Sequence, residues 1–243
     1  MSSPGEREST RPRRIEVVSA VGTRKRGEDV RPAALPPGGP LDFAPTLPNL
    51  VVLPIYTYGQ AVLRQRAAEV AADSPDLQRL IDDMIETMVG ATGVGLAAPQ
   101  VGHPLRVFTV DLTPFADDLA ADNGGVVPDE ARAPFALINP TAEPLPDAEP
   151  DDYEEGCLSI PDLRETVVRP DRVRLRFLDR TFAPRTLDAS GMLARVAQHE
   201  IDHLDGVLFT DRLSTLRRRL LQRRLRAMAR GEVEADYPIA PPQ

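Results

Sequence analysis

Apolar residues fall into a few regular patterns separated by long polar stretches. The most regular is Leu77, Leu80, Ile81, Met84, Ile85 and Met88, a series that lies along one face of an α-helix. Ser74 is placed to cap that helix, Pro75 suits its first position, and Gly90 and Gly93 end it. A second helix is expected from about Ser190 to Leu204, with Gly206 as its left-handed C-terminal cap. A third runs from Leu213 to Gly231. There Leu213, Leu216, Leu220, Leu221, Leu225 and Met228 form a stripe, and arginines fill the remainder. Between the helices the period changes to two. Val173, Leu175 and Phe177 alternate with Arg172, Arg174 and Arg176, which predicts a half-buried strand with a cationic outer face. Val107 to Asp111, Leu137 to Pro140 and Thr186 to Leu187 read as further short strands, and Gln60 to Ala68 as a short helix.

The polar stretches set the organisation. Met1 to about Leu47 is rich in proline and arginine, has no periodicity, and includes Pro36-Pro37-Gly38-Gly39-Pro40, so we expect a disordered extension. An ordered domain over 48–213 is interrupted by an acidic loop insertion from Thr113 to Pro134 and by a Pro/Asp/Glu-rich loop ending near Asp152. The basic amphipathic helix of 214–231 follows, then a disordered tail over 232–243. At 243 residues the chain suffices for one sizeable domain plus tails. A net charge of −8 argues against DNA or generic nucleic-acid binding by the whole surface. No apolar run is long enough to span a bilayer, and the N-terminal segment lacks the apolar core of a secretory signal. Cys157 is the only cysteine, so no internal disulfide can form, which fits a reducing compartment and a cytoplasmic protein.

Chemistry concentrates on the second helix, in Gln198-His199-Glu200-Ile201-Asp202-His203. Its H-E-x-x-H spacing stacks His199 and His203 one turn apart on one helix face, where both imidazoles can reach one metal ion. Glu200 stands beside that face, placed to take a proton from a metal-bound water. Two solvated histidines on a surface helix would be the bland reading. Histidine is scarce, however, and His103 is the only other one. Cys157 is the third ligand to hand. One thiolate and two imidazoles suit Zn2+, Fe2+, Co2+ or Ni2+, and three protein ligands leave a position open for water, as in catalytic sites. The expected reaction is metal-assisted hydrolysis of a carbonyl compound. Gly93-Val94-Gly95 allows close backbone approach by a ligand, although a lone G-x-G is weak and no phosphate-loop lysine follows.

Three segments resemble, in order, the signature motifs of peptide deformylases: Gly93-Val94-Gly95-Leu96-Ala97-Ala98-Pro99-Gln100, Glu155-Gly156-Cys157-Leu158-Ser159, and Gln198 to His203. Flanking Tyr58-Gly59, Val62-Leu63-Arg64, Ile138-Asn139-Pro140 and Leu204-Asp205-Gly206 agree, so the resemblance covers roughly Pro48 to Leu213. It implies an α+β fold with small antiparallel sheets packed around a central helix that carries the H-E-x-x-H motif. It implies removal of the N-formyl group from formylmethionine on nascent polypeptides, with Cys157, His199 and His203 holding the ion. In this family that ion is commonly Fe2+, with Ni2+, Co2+ or Zn2+ as substitutes. Glu200 would be general base and then acid, and the Gln100 amide and Leu158 N–H would stabilise the oxyanion. Val94 and Gly95 would line a cleft in which the peptide pairs like an added strand, and Arg164 would contact the peptide further along. Met192 and Val196 are the candidates for the methionine pocket. Glu155 and Arg169 would pair to hold the cysteine loop, or form an ordinary ion pair. The arginine helix could lie on a membrane, bind a partner, contact RNA phosphates, or pack on the domain; the resemblance favours ribosome docking.

Two rivals stand beside this reading. A metallopeptidase of the H-E-x-x-H type would take its third ligand downstream, whereas Cys157 lies upstream. A metal-stabilised binding module would need a closed four-ligand site, and no fourth ligand is evident.

Overall fold

A computed structural model describes residues 50–241. The extension expected over Met1–Leu47 lies outside the described residues. Helix α1, Pro75–Gly90, begins as its sequence dictates: the Ser74 hydroxyl accepts from Leu77 N at 3.1 Å, with Pro75 in the first turn. Strands β1 (Gly95–Ala97), β2 (Val107–Val110), β3 (Phe135–Pro144), β6 (Arg172–Leu178) and β7 (Pro184–Ser190) form one antiparallel sheet in the order β1-β2-β3-β6-β7. Strands β4 (Pro150–Cys157) and β5 (Ile160–Pro170) pair as a separate antiparallel hairpin. Helix α3, Gly191–Leu204, carries the histidines.

Around β1, β2 and the first half of β3 the larger sheet is buried on both faces. Phe108, Val110, Leu137, Val173 and Leu175 pack with Leu193, Ala194 and Ala197 of α3. From the opposite face Leu96, Val107, Ala136 and Ile138 pack with Ile81, Met84 and Met88 of α1. Period-two alternation therefore feeds two cores, and the interior strand β2 has no exposed residue. A third cluster joins Ile160, Leu163 and Val167 of β5 to Phe209 and to Leu225 and Met228 of helix α4, Thr215–Ala229.

Several expectations change. The segment from Thr113 to Pro134 is not only loop: it contains helix α2, Ala116–Asp122, flanked by two short 3-10 turns. Asp117 and Asp118 favour its N-terminus, and Phe115, Ala116 and Leu119 pack against the core, which gives it a reason to order. Gln60 to Ala68 forms only a 3-10 turn over Ala61–Arg64. The strand at Ile138 does not end at Pro140. It bulges at Asn139 (φ +50°) and Pro140, where no ladder N–H is needed, and continues to Pro144. The acidic stretch read as loop to Asp152 is partly strand, since β3 runs on to Pro144 and β4 begins at Pro150. The cationic face of β6 is balanced, with Arg174 on Asp188, Arg176 on Glu143 and Arg172 on Asp147. The stripe on α4 divides: Leu225 and Met228 are buried, while Leu216 and Leu220 are 69% and 68% exposed.

The largest correction concerns the tail expected to be disordered. Residues 232–240 alternate exposed and covered positions like a strand, with Val233, Ala235, Tyr237 and Ile239 turned inward. Ile55 N donates to Pro238 O and Ala240 N to Ile55 O, each at 2.9 Å, and Ala240 is buried. Short length and Pro238 hide this element, because it needs a partner segment 180 residues away to complete its hydrogen bonds. No helix among the described residues is long and apolar enough to cross a membrane.

Candidate metal centre and cleft

Helix α3 is almost wholly buried, so its polar residues must find partners inside the protein. His199 and His203 sit one turn apart with ring centroids 5.0 Å from each other. Cys157 ends β4 and is brought against them, with Sγ 3.1 Å from His203 Nε2. One donor atom from each of Cys157, His199 and His203 lies within 4.8 Å of the others, a group able to hold a metal ion. A thiolate and two imidazoles form a soft, mixed donor set suited to a transition metal.

Around these three residues the charges are organised by Glu155, which is buried. It accepts from Arg169 Nε at 2.6 Å and from Arg169 Nη2 at 2.9 Å, and its Oε2 lies 2.9 Å from His199 Nδ1. That contact occupies Nδ1 and leaves His199 to use Nε2 towards Cys157. Arg169 Nη1 also reaches Asp202 Oδ2 at 2.8 Å, and Arg212 pairs with Asp202. Arg195 also borders the cleft and is buried, donating to Glu155 Oε1 at 3.1 Å and to Val167 O at 3.0 Å. Burial alone would raise the Glu155 pKa, but hydrogen bonds from Arg169 and His199 hold it far below the carboxylate range. Burial would lower that of His199, yet hydrogen bonds to Cys157 and Glu155 lift it well above its ordinary value. For His203 burial and the neighbouring His199 both push the pKa down. Its Nδ1 has no hydrogen-bond partner among the described residues.

Glu200 differs from Glu155 in forming no ion pair with an arginine among the described residues. It is 4% exposed, burial raises its pKa to about 7, and its Oε2 has no partner among the described residues. Gly95 explains the space it occupies. A Cβ at residue 95 would stand 2.5 Å from Glu200 Oε1 and 2.8 Å from Val196 Cγ1. Gln100 is held through its own amide: Oε1 accepts from Ala97 N at 2.8 Å, while Nε2 lies 3.2 Å from Ser159 Oγ and 3.6 Å from Cys157 Sγ.

These groups line a cleft of about 1190 Å³. Val94, Gly95, Gln100, Cys157, Leu158 and Arg164 border it, as do Met192, Val196, His199 and Glu200 of α3. His203 lies behind this surface, 1% exposed. All the site residues expected from sequence are thus assembled in one place. Sequence reasoning missed the contact from Glu155 to His199, the Arg169–Asp202–Arg212 chain behind the helix, and one wall of the cleft. That wall is the C-terminal segment, through Glu234, Asp236 and Tyr237. The signal was present in the alternation of Val233, Ala235, Tyr237 and Ile239 with polar residues.

Comparison with known proteins gives the same answer throughout. The family described as polypeptide deformylase matches residues 52–219. The peptide deformylase of Salinibacter ruber is 55% identical over 190 residues, covering 78% of this chain and 94% of that protein. That of Christiangramia forsetii is 42% identical over 193 residues, covering 78% and 95%. Among solved structures, a peptide deformylase from Legionella pneumophila superimposes with a TM-score of 0.62 at 36% identity, covering 75% of this chain and 98% of that one. A peptide deformylase from Synechococcus elongatus in complex with actinonin gives 0.58 at 37% identity, covering 74% and 86%. With this coverage, and with the fold and metal centre described above, the chain belongs to the polypeptide deformylase family, hydrolases that remove the N-formyl group from new polypeptides in a metal-dependent reaction.

Proposed function

We propose that the chain hydrolyses the N-formyl amide of formylmethionine on newly made polypeptides, releasing formate, with Cys157, His199 and His203 holding one divalent ion. The observation that carries this reading is the meeting of three metal donors with a buried carboxylate, Glu200, whose Oε2 has no partner among the described residues, on the wall of an open cleft. Cys157, His199 and His203 would hold a divalent ion whose Lewis acidity would act on a water and on the formyl carbonyl. Glu200 takes the proton of the attacking water and delivers it to the departing amine nitrogen; burial keeps its pKa near neutrality, as that double role requires. Gln100 Nε2 and the Leu158 N–H hold the oxygen on which negative charge develops. Because Gln100 Oε1 is fixed by Ala97 N, its donor end is aimed before substrate arrives.

Substrate placement follows from the sheet. β1 is an edge strand, so an extended peptide can add to it beside Val94 and Gly95. Met192 and Val196 supply apolar surface for the methionine side chain, and Arg164 borders the route of the following residues. Incubating a formylmethionyl peptide with metal-loaded protein is expected to release formate and leave internal peptide bonds intact. Cleavage of internal bonds without formate would instead support the metallopeptidase reading.

Fe2+ is the proposed ion, with Ni2+, Co2+ or Zn2+ able to replace it, because thiolate and imidazole donors accept all four. Metal analysis of protein isolated without oxygen should find iron as the dominant ion; zinc in its place would overturn that assignment. We place the protein in the cytoplasm, docking on the ribosome through α4, where Leu216 and Leu220 are exposed among arginines. Changing Arg219, Arg223 and Arg226 to glutamate is expected to abolish co-sedimentation with ribosomes at low salt while formate release from a free peptide is unchanged. Undiminished co-sedimentation would refute the docking surface.

A further inference from the structure

The turn that carries Leu158 is built unusually. Leu158 and Ser159 alone connect β4 to β5, with Cys157 opposite Ile160. Two-residue connections normally use positive φ, and neither residue has it. Beyond the Cys157–Ile160 pair the hairpin ladder is interrupted. The next pair is Gly156 with Arg164, so Pro161, Asp162 and Leu163 are bulged out between them.

What holds the turn comes from elsewhere in the chain. Tyr58 N donates to Ser159 O at 2.8 Å, and Gln100 Nε2 lies 3.2 Å from Ser159 Oγ. The Tyr237 hydroxyl donates to Leu158 O at 2.7 Å. Tyr237 is half-buried and belongs to the segment that hydrogen-bonds on both sides of Ile55. That segment is fixed again where Gln60 Nε2 donates to Ala240 O at 3.2 Å. Tyr56 N in turn donates to Gln100 O at 2.7 Å. The C-terminal segment, the 55–60 segment, Gln100 and the Leu158 turn are therefore one connected hydrogen-bonded unit. The match to the family ends at residue 219, so nothing in it assigns a role to Tyr237.

We propose that Tyr237 is a positioning residue for the deformylation reaction: by holding the Leu158 carbonyl it fixes the turn so that the Leu158 N–H points at the substrate oxygen. This rests on the role given above to the Leu158 N–H. Without the hydroxyl the turn keeps its two bonds through Ser159 but gains freedom at Leu158. Donors lose most of their effect when they must be oriented during the reaction itself. The ring of Tyr237 remains as cleft wall in either case, so substrate binding is little affected.

Tyr237→Phe removes the one hydrogen bond and keeps the ring. The expected result is a kcat for a formylmethionyl tripeptide lowered by about three- to tenfold, with KM changed by less than about twofold and metal content unchanged. Amide hydrogen exchange at Leu158 should accelerate in the same variant. Wild-type kcat with unaltered exchange would overturn the proposal, as would a raised KM with kcat retained, which is the result expected of a residue that only lines the cleft. If the wild-type protein released no formate, the reading of the reaction would fail, and exchange at Leu158 would still decide whether Tyr237 holds the turn.

Discussion

Replacing Glu200 with alanine is expected to lower kcat for formate release by about 10²- to 10⁴-fold while the protein stays folded and keeps its metal. The separation of these effects follows from where Glu200 sits. It follows His199 directly in α3, yet it is not one of the three donors that converge on the ion, and Oε2 makes no hydrogen bond among the described residues. Removing it takes nothing from the metal centre. Removing it also relieves the burial of an unpartnered carboxyl, which offsets the small cavity left behind. What is lost is a cleft carboxyl whose pKa, raised by burial to about 7, lets it both take and return a proton near neutrality. Glu200→Gln sharpens the test, because the amide fills the same space beside Gly95 and cannot carry the proton. Both variants should retain wild-type metal content and melting behaviour. A residual kcat within about tenfold of wild type in Glu200→Gln would remove Glu200 from the proton-transfer role.

How much of this could be read in advance depended on whether a segment's partners are local. Helix α1 was legible to its caps, because Ser74, Pro75 and the leucine–methionine stripe each act within a few residues. Helix α3 was legible because the H-E-x-x-H spacing is itself a helical geometry. The three metal donors could be assembled because their residue types are so scarce in this chain. Strand β4 was not legible. Its Asp151 and Asp152 read as the end of a loop, and only pairing with the arginine-bearing β5 and burial of Glu155 beneath Arg169 make this stretch a strand. The C-terminal segment failed for the same reason at greater range. Helix α2 ordered because Phe115 and Leu119 found the core, which composition alone does not reveal. Arg195 is the instructive case within the site. It lies between Met192 and Val196 of the cleft wall in sequence, and its guanidinium is held by Glu155 and Asp151.

That inward network carries the second large effect. Arg169→Met is expected to destabilise the metal-free protein by about 3–5 kcal/mol. Arg169 is 3% exposed and binds Glu155 through two nitrogens and Asp202 through a third. Methionine fills similar volume, so the loss reports on charge and not on packing. It strands two buried carboxylates at once. Arg195 on Glu155 and Arg212 on Asp202 remain and offset part of that cost, which places the effect nearer the lower end of the range. Arg169→Lys should recover only a fraction, because an ammonium cannot form the two parallel bonds that the guanidinium makes to Glu155. The consequence reaches the ion through His199. Its Nδ1 is held by Glu155 Oε2 at 2.9 Å, and Glu155 is held in turn by Arg169. Loosening this support is expected to weaken metal binding by about 10- to 100-fold. Urea unfolding of the stripped protein measures the first effect free of any contribution from the bound ion, and competition with a chelator measures the second. A midpoint shift worth less than about 1 kcal/mol would mean that Arg195 and Arg212 neutralise the two carboxylates unaided, and Arg169 would then lose its place as the hinge between the hairpin and the histidine helix.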